Sequence, residues 1–558
     1  MEKNSKIMIS CGGERRPADF GATLSEIYSD FFPGSDSKPY AALVDHDLKD
    51  LSYRLVNPHE VEFVDYNSDC GRRCYIRSLC FILQKAVAEL FPEYVLIIDH
   101  SLPSGLYCKL MDGDRLHVPE DEEIAGIHER MDRIVAADFP FVHENMGMEE
   151  AVAMFTAHGK KAKAELLSGL GRFSVEVYSL DGYTDTFHGP LVPSSGMISV
   201  FDLTGFGEGF CLQPPVIGNV GKVMQMQRQS KIAGALKEYS DWCDNIGILG
   251  IGTLNKVIAQ GRAVNLINIA EARQERKYAE IADKIFAARD NVRIVMIAGP
   301  SSSGKTSSSL RLAMQCKVLG LNPKVIELDN YFLNREDTPL DESGNKDYES
   351  LYAMDLDFLN RQLNDLIDGR EIEVPKFDFK EGKRTFVGNR MKLEEDDILL
   401  MEGIHALNPD LTPSVDRKRI FRVYASALTS LNIDENNTIS TSDNRLLRRM
   451  VRDNRVRAIT PEETILRWPS VRRGEVRNIF PFQENADAAF NSALIFELPV
   501  LKYYAEPLLL RIPPTSAAYT EARRLLNFLS MIAPFSPAEI AAIPPTSIMR
   551  EFIGGQTL

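Results

Sequence analysis

Cysteine is scarce: the chain has 8 in 558 residues, and no two stand as a C-x-x-C pair. That spacing excludes a zinc ribbon or a disulfide scaffold and suits the reduced thiols of a cytosol. Tryptophan is rarer still, with 2 residues. No apolar run approaches the ~18 residues a membrane span requires. The start, Met1-Glu2-Lys3-Asn4-Ser5-Lys6, leads into a short apolar stretch that Cys11-Gly12-Gly13 cuts off, too brief for a secretory signal. An excess of basic residues is missing too. With 64 Lys and Arg against 79 Asp and Glu the net charge is −15, which argues against broad nucleic-acid binding and leaves only a local basic groove open. Internal repeats and low-complexity tracts are absent. What remains is an ordinary globular balance, 44% hydrophobic and 26% charged, in a length suited to about three or four domains.

The amino-terminal segment, about residues 7–67, reads as short strands around one helix. Ile7 to Ser10 is apolar, Leu24 to Tyr28 looks helical, and Val61-Glu62-Phe63-Val64-Asp65 alternates like a strand. Residues 70–212 open on a helical pattern (Ile76, Leu79, Ile82, Leu83, Ala86) and continue through alternating stretches such as Phe173 to Tyr178. Pro214-Pro215 and the glycines after them mark a boundary. The stretch 222–290 is mostly helical. Beyond it strand and helix alternate: Val292–Ile297, Lys324–Leu328, Asp397–Met401, Arg419–Ala425 and Ala493–Leu498 form a strand set for a parallel, doubly wound sheet. Ligands of such sheets sit at the carboxyl ends of the strands.

The first of those strands runs into Gly299-Pro300-Ser301-Ser302-Ser303-Gly304-Lys305-Thr306, a match to G-x-x-x-x-G-K-[ST]. Glycines and small serines let successive backbone N–H groups face one centre, and the helix that follows adds its positive end. Gly299, Ser301, Ser302, Ser303, Gly304, Lys305, Thr306 and Ser307 are the candidate ATP-binding residues. Lys305 would reach the β- and γ-phosphates, and Thr306 would hold Mg2+.

Two acids follow strands on the same side. Glu402 closes Ile398-Leu399-Leu400-Met401, where an acid reaches magnesium. Asp329 follows Lys324–Leu328, where a carboxylate can accept the proton of an incoming hydroxyl. Downstream, Arg445, Arg448, Arg449 and Arg452 fall at i, i+3, i+4 and i+7 on one helical face, and Arg455 and Arg457 extend the cluster. So many guanidinium groups imply either a phosphate-bearing ligand or acidic neighbours.

These motifs, in this order, give a resemblance. Gly299 to Thr306, Leu328-Asp329-Asn330-Tyr331, Pro375-Lys376-Phe377-Asp378-Phe379, Leu400-Met401-Glu402-Gly403-Ile404 and Arg445 to Asp453 make residues 292–505 resemble the uridine kinase and phosphoribulokinase family of P-loop kinases. The resemblance implies Asp329 as base toward a nucleoside 5′-hydroxyl, Glu402 and Thr306 as magnesium ligands, and Arg449, Arg452 and Arg457 as a lid. It further implies Phe377 and Phe379 as aromatics flanking the base and Asp347 as the acid for ribose hydroxyls. Two departures stand out. Uridine kinases usually carry a histidine shortly after the aromatic pair, and Lys380-Glu381-Gly382-Lys383-Arg384 has none. Asp347 also lacks the usual following His-Pro.

The first half resembles the amino-terminal region of threonyl-tRNA synthetase, with residues 7–67 similar to a TGS module (Ala41-Ala42-Leu43-Val44, Asp50-Leu51) and 70–212 similar to the editing-type domain. Editing there relies on H-x-x-x-H with a later Cys and His. Here the helix reads Cys74-Tyr75-Ile76-Arg77-Ser78-Leu79-Cys80, so the expectation is that deacylation of mischarged tRNA is lost. His100 and His188 are isolated and read as structural residues. No synthetase catalytic core follows.

The resulting expectation is a multidomain α/β and α+β chain. It comprises a β-grasp TGS-like domain (1–67), an editing-like domain (68–212), a helical linker (213–290), a P-loop nucleoside kinase domain (291–510) whose parallel sheet has helices on both faces, and a helical tail (511–558). The expected activity is ATP- and Mg2+-dependent phosphoryl transfer in the cytoplasm, with Lys305, Asp329 and Arg452 catalytic. The acceptor is a nucleoside or another small hydroxylated metabolite such as a phosphorylated sugar or vitamin precursor. An RNA-associated regulatory NTPase is the alternative from a different class. RNA or an amino acid is the ligand class for the amino-terminal half, no membrane partner is expected, and homo-oligomerisation is left open. The tail's Arg550-Glu551-Phe552-Ile553-Gly554-Gly555 carries no assignable chemistry.

Overall fold

The computed structural model describes residues 6–558 apart from 36–37, 227–229, 341–343, 379 and 430. Five strands make the central sheet: β1 (Ile294–Ala298), β2 (Asn322–Glu327), β3 (Asp397–Glu402), β4 (Ile420–Ser426) and β5 (Ala488–Asn491), in the order β2-β3-β1-β4-β5. Every pairing is parallel. Strands β1, β3 and β4 are buried along their whole length, because their near-continuous apolar runs are covered on both faces. Alternate residues feed two separate cores: Val295, Ile297, Leu400 and Val423 on one face, Ile294, Met296, Leu399 and Met401 on the other. The chain leaves β1 toward one side of the sheet and later returns to the other. The crevice of such a fold therefore opens at the carboxyl end of β1.

One strand differs from expectation. Residues 488–491 pair with β4, whereas Ala493–Leu498 form a buried turn and the start of the helix Glu497–Leu509. The Asn491 side chain ends the pairing by binding Leu428 N–H and Leu428 C=O, and it also accepts from Ala493 N–H. A short apolar run reads alike as buried strand or buried turn.

Upstream, five strands in the order Glu14–Asp19, Lys6–Cys11, His59–Val64, Ala41–Val44, Asp47–Lys49 hold the helix Leu24–Phe31, which begins at a Thr23/Glu26 capping box. The 22-residue helix Asp69–Leu90 follows. Around it lie the sheet Asp202–Phe206, Gly209–Gln213, Gly105–Asp112, Tyr94–Leu102 and the smaller sheet of Val142–Gly147, Ser174–Leu180 and Tyr183–Asp185. The helix Ala263–Ala287 lies along the helix Lys305–Val318: Arg311 binds Gln274 at 2.9 Å and Tyr278 donates to Ser308 at 3.1 Å. The tail joins this core through Ile543, Ile548 and Phe552. No described helix is long and apolar enough to cross a membrane.

Candidate active site

The loop from β1 to the helix Lys305–Val318 (the phosphate-loop helix) is shaped by two glycines. A Cβ on Gly299 would lie 1.9 Å from Ala425 O, so only glycine lets the loop leave β1 so close to β4. Gly304 sits at φ +79, a left-handed conformation that turns the chain into the helix. Ser302, also at positive φ (59), sharpens the same curl. Among the described residues nothing bonds to the buried Ser302 and Ser303 hydroxyls, and a buried polar atom without a partner is costly. Ser303 Oγ lies close under Gly299.

The acids converge on this loop through the sheet. Parallel pairing aligns Glu402 with Ile297 of β1 and with Glu327 of β2. Asp329 lies two residues past Glu327, in the short 3-10 turn Leu328–Tyr331. Gly403 brings the two ends together, since a Cβ there would meet Leu328 Cβ at 2.7 Å. Thr306 donates to Glu402 Oε1 at 2.7 Å. Burial pushes both Asp329 and Glu402 up, with Glu327 adding to the rise of Asp329 and Asp329 to that of Glu402, while the Lys305 ammonium holds both down. Arg457 also stabilises the Asp329 carboxylate. Hydroxyl and carboxylate oxygens are the donors magnesium takes, and it uses one or two protein carboxylates beside substrate phosphates. Thr306 and Glu402 fit that requirement. Among the described residues no three acid, histidine or cysteine side chains form a complete cage.

A third carboxyl joins them that the sequence did not single out. Glu349, half-buried against Gly474, is pushed up to about 7 by burial and by Glu475, with Arg449 and Lys305 opposing. Asp347, expected in the site, lies in the same turn, where its Oδ1 accepts from Glu349 N–H at 3.1 Å. An acid protonated in the native state and ionised when unfolded costs stability as pH rises from its unfolded toward its folded value. Between pH 4.5 and 7 the urea midpoint of Glu349→Gln is therefore expected to gain on that of the parent; parallel profiles would contradict this placement.

The arginine helix, Thr441–Val456, divides its guanidinium groups into two sets. Arg445 and Arg448 are fully buried and pair with Glu475 and Glu497. They also donate to the carbonyls of Ser301 (3.1 Å) and Ser302 (3.4 Å), bracing the loop from beneath. Acidic neighbours, not a ligand, compensate this half of the stripe. Arg449 donates to Ser301 Oγ at 2.7 Å and meets Asp453 at 3.3 Å. Arg452 and Arg457 share that same carboxylate at 2.8 and 3.6 Å. One carboxylate cannot neutralise three guanidiniums, so positive charge is left over beside Asp329.

Phe377 lies on a short hairpin, edge-on to Phe332 at 5.9 Å, with its N–H bound to Asn330. Phe379 lies outside the described residues. The tail reaches the site as well. Ile548 packs on Gly304, Glu551 accepts from Ser307 Oγ, and Gln556 donates to that hydroxyl at 2.8 Å. Arg455 clasps the carbonyls of Glu551 and Phe552. In the first half, Arg77 occupies the helix position facing Pro190 O, His100 bonds buried Asp99, and His188 is exposed.

Comparison with known proteins follows the same division. Residues 294–495 match the model of the phosphoribulokinase / uridine kinase family. Threonine–tRNA ligase of Syntrophomonas wolfei is 29% identical over 197 residues, 35% of this chain and 31% of that protein. The enzyme of Methylococcus capsulatus is 32% identical over 192 residues, 34% of this chain and 30% of its own length. The chain thus spans about a third of the length of the curated relatives it matches. A solved structure described as a possible uridine kinase from Bacillus stearothermophilus is 18% identical, covering 38% of this chain and 98% of that one, with a TM-score of 0.27. Residues 294–495 are a phosphoribulokinase / uridine kinase family domain, on a chain whose amino-terminal region matches threonine–tRNA ligases.

Proposed function

We propose that this protein is an ATP-dependent kinase that phosphorylates the 5′-hydroxyl of a nucleoside of the uridine or cytidine type. One observation carries the reading: the phosphate-loop Thr306 donates to Glu402 at the end of β3, and Asp329 lies two residues past Glu327, the β2 residue paired with Glu402. Nucleotide ends, acceptor base and metal acids thereby share one cleft. The division into TGS-like, editing-like, linker, kinase and tail units is part of the same proposal.

In this reading the loop amides and Lys305 hold the phosphate chain. Asp329 orients the acceptor hydroxyl and takes its proton as the new O–P bond forms. Arg449, Arg452 and Arg457 supply the charge left over by Asp453 to the transferring group and exclude water. Glu349 stands where a carboxyl can accept from the acceptor's hydroxyls, and Phe377 offers a face for a ring. Thr306 and Glu402 would hold magnesium, which when bound neutralises phosphate charge.

A second acceptor class is favoured by one feature. Arg384, in the segment without the base-reading histidine, is tied to Asp355 at 2.8 Å and serves the fold. ADP release assayed over nucleosides, sugar phosphates and vitamin precursors, with and without tRNA, distinguishes the readings. Turnover only with a sugar or vitamin would replace the nucleoside. Hydrolysis indifferent to every small alcohol but stimulated by tRNA would sink the kinase assignment.

Glu551 sets a further expectation. Its carboxylate raises Glu402 toward protonation and occupies Ser307, so an incoming triphosphate meets a like charge. Glu551→Gln is expected to tighten ATP binding a few-fold by equilibrium dialysis. Weaker binding would mean that the carboxylate instead prepares Ser307 for phosphate.

A further inference from the structure

The kinase domain and the threonine–tRNA-ligase-like half meet, among other places, around the start of the arginine helix. The segment between β4 and the arginine helix reads Leu431-Asn432-Ile433-Asp434-Glu435-Asn436-Asn437. Polar enough for an exposed loop, it is buried throughout. It lies along Tyr94–Leu102, the edge strand of the editing-like sheet. Ile98 N–H donates to Glu435 O at 2.8 Å, and the Asn436 and Asn432 amides donate to Leu96 O and Ile98 O at 2.8 and 3.1 Å. The strand's free edge, which a sheet must cover or blunt, is thus closed by the kinase. The Glu435 carboxylate accepts from both Ala162 N–H (2.6 Å) and Lys163 N–H (3.0 Å) at the start of the helix Lys161–Gly169.

A second tie reaches the arginine helix itself, from another direction. Asp443, in the first turn of the arginine helix, receives both arms of Arg524 at 2.7 Å. Arg524 pairs with Glu521, and Glu521 with Arg73 of the helix Asp69–Leu90 at 3.2 Å. Burial pushes Glu521 up, but Arg524 and Arg73 hold it down to about 2, so the chain of charges persists at neutral pH.

One tie fixes the segment leading into the arginine helix and the other its first turn, and the next turns brace the phosphate loop through Arg445, Arg448 and Arg449. We infer that the amino-terminal half positions the arginine helix for nucleotide binding, with Glu435 and Arg73 as positioning residues that act through Arg449 and its neighbours. This rests on the kinase reading of the phosphate loop. The half that resembles an editing domain then acts as the clamp that holds the guanidinium groups in register with the loop. A ligand that displaced the 432–437 segment would release them. Two separate ties on one helix end give a rigid link, whereas a flexible fusion would leave the helix to the kinase alone.

A double-mutant cycle tests this on the full-length chain. ATP binding is read with a fluorescent ribose-labelled analogue for the parent, Glu435→Gln, Arg449→Lys and the pair. Glu435→Gln is expected to weaken binding about tenfold, and by under about twofold once Arg449 is already lysine, because both changes act on one helix. Should Glu435→Gln fail to fold, Arg73→Ala takes its place in the cycle with the same expectation, and Arg73→Lys should restore most of the binding. An unchanged affinity in the single variants, or an undiminished effect in the Arg449→Lys background, overturns the inference. Lys305→Ala separates the two levels. If it abolishes binding while the cycle shows no coupling, the inference alone fails; if it leaves binding intact, the phosphate-loop reading fails with it.

Discussion

Asp329→Asn is expected to lower kcat by ~10²–10⁴, the range over which a positioned general base contributes, while ATP binding stays close to that of the parent. The amide keeps the shape and the burial but cannot accept a proton. In the proposed mechanism Asp329, whose carboxylate Lys305 and Arg457 both favour, meets the acceptor hydroxyl. Burial raises Asp329 and the two cations restrain it, so turnover should lose its base as pH falls, over a range lying above that of a free aspartate. Steady-state kinetics with saturating acceptor, beside a direct ATP titration, measure the two quantities. A loss of ATP binding as large as the loss of kcat would assign Asp329 to the nucleotide and remove the base from this mechanism.

The second large effect concerns stability. Arg448 is fully buried against Glu497 and also donates to Ser492 O and Ser302 O. Removing one partner of such a pair leaves an uncompensated buried charge and costs about 3–5 kcal/mol. Arg448→Met should therefore lower the urea midpoint of the kinase core sharply. Arg448→Met with Glu497→Leu should recover most of it, since an apolar pair of similar volume removes the stranded carboxylate. A single variant as stable as the parent would mean that Arg448 is not part of the fold. A double variant no better than the single would point to the bonds with the loop carbonyls as the dominant loss.

The parts of the site that were legible in the sequence share one property: consecutive residues create them. Gly299 to Thr306 curls because of its own glycines and serines. Asp329 and Glu402 follow apolar strands, and in a parallel sheet the residues after the strands share one edge, so two acids far apart in sequence could be assigned to one cleft. The apolar strands themselves were legible because both of their faces are buried. Ala493–Leu498 was misread because the same apolarity arises in a turn closed by the Asn491 side chain.

Asp347 and Glu349 show the limit at short range. Both are acids in one turn, and the sequence does not show that the backbone N–H of Glu349 binds Asp347 or that Glu349 is the one buried near Glu475 and Lys305. The arginine stripe shows it at long range. Periodicity put four guanidiniums on one face, but Glu475 and Glu497, which consume Arg445 and Arg448, come from helices that begin after the stripe ends. Residues 431–437 look like a solvent loop until the free edge of another sheet supplies partners for their amides.

By itself, then, the order of residues determined the anion cradle, the strand-end acids and the helical face that carries the arginines, because each depends on backbone geometry over a few residues. Which of those charges remain available was decided by tertiary structure alone. An ion pair or a hydrogen bond forms between groups adjacent in space, and the partners of Arg448, Ser307 and Glu435 lie 49, 244 and 273 positions away along the chain.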